Sequence, residues 1–163
     1  MKSGWRTAAV VAGLFSCVAA IGRAQTRTMH IGPRLGYEFA DDEVVLGAQF
    51  SIPFARRLEL YPSFDYYFID PGSLWALNAD VKYRLPLGRP NWLYLGGGLN
   101  FSDLRVAGVG STHAGLNLLG GVESLRGTVH PFGEGRFIIS DDSRFQLQAG
   151  LNITLGGHRA GRR

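Results

Sequence analysis

From His30 onward, apolar and polar residues alternate with period two in segments of about ten residues separated by turn residues, with no helical stretch. The last segment shows it best. From Phe145 to Leu155 every odd position is apolar and every even position is polar or glycine, the pattern of a strand with one dry and one wet face. The first strand has a dry face of Ile31, Pro33, Leu35, Tyr37 and Phe39, and the second one of Val44, Leu46, Ala48, Phe50, Ile52 and Phe54. Leu58 to Phe68 and Trp75 to Leu85 repeat the pattern, with every second residue apolar. In the fifth and sixth strands the dry faces are Leu93, Leu95, Gly97, Leu99, Phe101 and Ala114, Leu116, Leu118, Gly120, Val122. The seventh, Val129 to Ser140, is weaker, because Gly133 and Gly135 share the face of Phe137 and Ile139.

The opposite face carries Arg34, Glu38, Glu59, Asp65, Asp80, Lys82, Arg84, Glu123, Glu134 and Arg136, spaced by small residues such as Gly32, Gly47, Gly96, Gly98 and Gly150. Opposite charges among small residues suit a narrow lumen filled by side-chain ion pairs. Unpaired charges there are costly, so six acids and four bases are expected to pair with each other. Eleven residues at roughly 3.3 Å each, tilted by about 40°, rise about 28 Å, close to the apolar band of about 25 Å in outer-membrane barrels. The predicted fold is all-β: an eight-stranded antiparallel up-and-down transmembrane β-barrel, plugged by its own side chains.

The connections support this layout. Those after strands one, three, five and seven hold Asp41, Asp42, Glu43, Asp70, Asp103, Asp141 and Asp142, while those after strands two, four and six hold Arg56, Arg57, Arg89 and Arg126. An even strand count puts both termini at one rim, the periplasmic one in this class, so the outer rim is acidic and the inner rim basic. Solubility of the loop tips is the simplest use for the acids; bridging cations on lipopolysaccharide is another. Pro33, Pro53, Pro62 and Pro131 fall near strand ends, where a missing ladder donor is tolerated. The external loops are predicted to be short, the longest running from Ser102 to Ser111.

Composition refines the picture. Lys2 and Arg6, an apolar run from Thr7 to Ile21, and the small residues of Gly22-Arg23-Ala24 predict a signal peptide over residues 1–24, cleaved before Gln25. The barrel then spans 25–155 and a basic tail 156–163. Cys17, the only cysteine, leaves with the signal, which suits an oxidising compartment. Removing Lys2, Arg6 and Arg23 leaves 14 basic and 13 acidic residues, so the pI of 9.6 is no argument for nucleic acid.

Signal peptide, amphipathic strands and segments such as Trp92-Leu-Tyr-Leu-Gly-Gly-Gly-Leu-Asn-Phe101 and His130-Pro-Phe-Gly-Glu134 together resemble the small outer-membrane barrel superfamily of OmpX, the OmpA membrane domain and opacity-like proteins. The resemblance implies residence in a Gram-negative outer membrane as a monomer. Its implied partners are lipopolysaccharide and phospholipid, the periplasmic chaperones and the barrel-assembly machinery. Such chains commonly end on an aromatic residue; this one ends in Arg163. Lipid A deacylases of this fold carry a His-x-Ser-Asn run, whereas His113 is followed by Ala114-Gly115 and His130 by Pro131-Phe132. No catalytic residue, cofactor motif or metal-spaced His/Cys cluster stands out. The expected function is structural or interaction-related, without enzymatic activity. Its rivals are a lipid A deacylase-like enzyme acting through His113 and a soluble secreted ligand-binding barrel with the dry face inward.

Overall fold

The computed structural model describes residues 28–106 and 109–155. The expected signal peptide and basic tail lie outside them. The described residues form eight strands: β1 (Met29–Glu38), β2 (Glu43–Pro53), β3 (Leu58–Tyr67), β4 (Ser73–Pro86), β5 (Asn91–Val106), β6 (Val109–Ser124), β7 (Val129–Ile139) and β8 (Arg144–Leu155). Each pairs antiparallel with its sequence neighbour, and β8 returns to β1 to close the barrel.

Side chains follow the pleat. In β1, Met29, Pro33, Leu35 and Tyr37 are exposed while His30, Gly32, Arg34 and Glu38 are buried. In β8, Phe145, Leu147, Ala149, Leu151 and Ile153 are exposed and Gln146, Gln148 and Asn152 buried. Of the large apolar residues expected on the dry faces, only Ile52, opposite Leu60, is buried. The apolar face therefore points outward, the reverse of a soluble ligand carrier. A continuous exposed band of Leu, Val, Ile and Phe is incompatible with water, and a closed barrel satisfies its backbone groups without an edge, as a lipid-embedded sheet must. Exposed aromatics gather outside near the rim opposite the termini. There Tyr37 packs edge-on against Phe39 at 5.2 Å, Phe39 stacks on Phe145 at 5.8 Å, and Tyr66 meets Phe68 at 5.3 Å. Such a girdle marks the interface of a bilayer.

Leu118 is 56% exposed on this band. Leu118→Arg is expected to weaken folding into bilayers by roughly 2 to 4 kcal/mol, the cost of arginine near the bilayer midplane. Equilibrium unfolding in vesicles measures it, with arginine at the inward-facing Asn117 as the comparison.

The structure corrects the sequence reading at one hairpin. The predicted Ser102–Ser111 loop is mostly strand: β5 and β6 run 16 residues each, paired down to Val106↔Val109. β4 flanks β5 as far as Ser73↔Arg105, whereas the β6–β7 ladder stops at Leu116↔Ile139. Above the lipid both faces of a ribbon are wet, so the alternation of apolar and polar residues fades although the backbone ladder continues.

The seam between β1 and β8 has its own construction. The ladder breaks between Ile31↔Ile153 and Arg34↔Gly150, where Pro33 supplies no N–H. The Leu151 carbonyl instead accepts the Gln49 side-chain amide from within the lumen, at 3.1 Å. Gly32 makes room, because a Cβ there would lie 1.6 Å from that carbonyl oxygen.

Candidate functional site

The strands run from one rim to the other, so inward residues stack in layers along the barrel axis. All ten charged residues singled out from the sequence point into the lumen. Nine of them are buried and Arg84, at the rim that holds the termini, is partly exposed.

In the layer nearest the termini, Arg84 joins two carboxylates: its Nε is 3.0 Å from Glu59 Oε1 and its Nη2 donates to Glu123 Oε2 at 2.9 Å. Ser51 Oγ donates to Glu59 at 2.6 Å, and Asn152 donates to Glu123 at 2.9 Å. His30 and His130 complete this layer, their ring centres 5.0 Å apart.

The next layer holds Lys82 in an aromatic cage. Its Nζ lies 3.1 Å from the Tyr61 ring centre, 3.9 Å from Tyr94 and 5.5 Å from Phe132, with Glu134 Oε2 at 3.7 Å. Two ring faces and a carboxylate replace much of the hydration that burial removes from an ammonium. Tyr94 donates its hydroxyl to the same Glu134 oxygen at 3.0 Å.

Above it lie two arginine sites. Arg34 of β1 reaches across β2 to Asp65 of β3, with Nε donating at 2.8 Å and a second Nη2 contact completing a bidentate pair. Its Nη2 also donates to Ser63 at 2.8 Å. Arg136 of β7 meets Asp80 of β4 at 3.0 Å and Glu134, two residues back on its own strand, at 3.1 Å. Amides link the two sites: Asn78 donates to Asp65, and Asn117 donates to both Asn78 and Asp80, at 2.8 to 3.0 Å. Arg136 thus reaches β4 across the lumen.

At the far rim the polar layers end. Glu38 accepts the Ala40 and Asp41 N–H groups at 2.8 and 3.1 Å, fixing the β1–β2 turn. Beside it Val45, Tyr67, Leu74 and Ala76 form a buried apolar cluster backed by Ile69 and Leu104. The inward face is therefore polar at one end and, on β2 to β4, apolar at the other. Sequence reasoning overlooked this cluster, the aromatic cage and the linking amides, although residue parity alone places Tyr61, Tyr67, Leu74 and Asn78 inside.

Other chemistry is sparse. On the protruding β5–β6 ribbon Ser111 Oγ lies 2.9 Å from His113 Nε2, while Asp103 is engaged by Arg105 at 2.8 Å. No carboxylate among the described residues touches His113. No group of three His, Cys, Asp or Glu side chains among the described residues is gathered as a metal site.

No family model matches the sequence, and no curated protein matches it. Solved structures do match the fold. The N-terminal β-barrel domain of Pseudomonas aeruginosa OprF superposes with a TM-score of 0.69 at 13% identity, covering 78% of this chain and 97% of that domain. The fold is that of the small outer-membrane barrels. Neisserial surface protein A gives a TM-score of 0.60 at 15% identity over 78% of this chain and 96% of its own. The outer-membrane enzyme PagL gives 0.56 at 10% identity over 77% and 99%. At such identities the likeness speaks for architecture, and one fold here carries both an enzyme and surface proteins.

Proposed function

We propose that the chain is a non-enzymatic integral barrel of the outer membrane, structural or interaction-related, whose lumen does not conduct. The observation that carries this reading is the filling of the lumen by side chains: buried ion pairs and amides through its length, and the Val45, Tyr67, Leu74 and Ala76 cluster at the far rim. An eight-stranded barrel leaves an interior just wide enough for its own side chains. With the termini on the periplasmic side, the acidic turns and the β5–β6 ribbon face outward, where lipopolysaccharide is the nearest partner. Phospholipid, the periplasmic chaperones and the assembly machinery complete the expected partners of a monomer. The purified protein should give no long-lived open channel in planar bilayers; reproducible porin-sized steps would refute the closed lumen.

The Ser111–His113 contact favours a second reading, a lipid hydrolase at the outer surface. Against it, no carboxylate among the described residues orients His113, and both residues sit on a ribbon above the barrel. Release of acyl chains from labelled lipid A, lost in both Ser111→Ala and His113→Ala, would establish the enzyme; no release from the folded protein supports the non-enzymatic reading.

A further inference from the structure

Charge in the lumen is unevenly balanced. In the middle layers Asp65, Asp80 and Glu134 face Arg34, Arg136 and Lys82, one base to each acid. At the rim that holds the termini, Glu59 and Glu123 share a single lumenal base, the partly exposed Arg84. Arg56 and Arg57 stand nearby in water, Arg57 donating to the Tyr83 hydroxyl at 3.3 Å. The lumenal side chains of this layer are therefore one negative charge in excess, and they include two buried imidazoles, His30 and His130.

Hydrogen bonding fixes which nitrogen of His130 is bare. Its Nε2 is 3.1 Å from the Gly127 carbonyl oxygen, which can only accept, so Nε2 carries the hydrogen. A neutral His130 then presents the lone pair of Nδ1, 3.8 Å from Glu123 Oε1, which is itself an acceptor. His30 Nδ1 likewise has no hydrogen-bond partner among the described residues. A cavity of about 420 Å³, lined by both histidines with Glu59, Arg84 and Trp92, opens this layer to solvent. Bare imidazole nitrogens beside a carboxylate, with one ring anchored through its N–H to a backbone carbonyl, form the outer-shell arrangement of metal-binding histidines.

We propose that this mouth binds one divalent transition-metal ion, of the Zn²⁺, Cu²⁺ or Ni²⁺ class that imidazole favours, through His30 and His130 with Glu123 as third donor. The ring centres, 5.0 Å apart, already suit two imidazoles on one tetrahedral ion; the three donors are not gathered as they stand, so binding requires the rings and the Glu123 carboxylate to turn toward a common point. Calcium and magnesium, which prefer all-oxygen sites, are poor fits.

The test uses the tag-free protein extracted in detergent, in a Trp75→Phe background so that Trp92, on the cavity wall, reports. Ni²⁺ should quench that fluorescence saturably at one ion per chain, with Zn²⁺ competing and Mg²⁺ not. His30→Asn and His130→Asn should each weaken binding by about 10- to 100-fold or more, the scale on which even outer-shell changes act. His113→Ala and His158→Ala should leave it unchanged. Heat-modifiable gel mobility identifies variants that fail to fold; the wild-type titration decides the matter without them. Absence of saturable quenching in the folded wild type overturns the proposal. Binding that survives both asparagine variants, or that is lost with His158→Ala, overturns it equally.

Discussion

Gly32→Ala should prevent the barrel from closing, or leave a folded form destabilised by more than about 3 kcal/mol, beyond ordinary overpacking. The added methyl would lie 1.6 Å from the Leu151 carbonyl oxygen and 3.3 Å from the Gln49 amide nitrogen that this oxygen accepts from. An obstructing side chain can rotate away, but a backbone carbonyl in a paired strand moves only with its strand. β1 and β8 would separate where Pro33 has already removed a ladder bond. Gly133→Ala is the matched control, because nothing lies within 4 Å of a Cβ there. Heat-modifiable mobility and urea unfolding in one lipid compare the two; similar behaviour of both variants would mean that the seam is misplaced.

Arg136→Ala should be the most damaging change among the lumenal charges. Arg136 is fully buried and sits between Asp80 and Glu134, at 3.0 and 3.1 Å. Its loss leaves Asp80 without its base and Glu134 with only Lys82, at 3.7 Å. Breaking a buried pair by removing one partner typically costs about 3 to 5 kcal/mol, mostly because the remaining charge is stranded. Arg126→Ala, in the exposed β6–β7 turn, should shift the urea midpoint little, since exposed charges are screened by water and salt. Equal shifts in the two midpoints would count against a lumen held by ion pairs.

What the sequence reveals of this fold follows from where lipid is present. Inside the bilayer the outer face must be apolar, so Phe145 to Leu155 announces its strand, its period and its faces at once. Outside the bilayer that constraint lapses, and the ends of β5 and β6 near Ser102 and Ser111 read as loop although they are strand. The ten lumenal charges are legible because a charge at alternate positions in an otherwise apolar strand has only one place to go. Their partners are not legible. Which acid Arg34 meets depends on strand tilt and stagger, and it reaches Asp65 two strands away. Tyr61 and Tyr94 could be placed inward by parity, but their closing of a cage on Lys82 depends on three strands meeting at one height. The histidines near the termini read as isolated residues in sequence, 100 positions apart, and become a pair only when the barrel closes.

On the closed-lumen reading proposed above, the apolar cluster of Val45, Tyr67, Leu74 and Ala76 makes the interior a cul-de-sac. A solute that enters beside His30 and His130 must leave by the same door, so anything held there exchanges with one compartment alone. Occupancy would then follow the composition of that compartment and be indifferent to the other, which makes the barrel suited to reporting on one side of a membrane without leaking to the other.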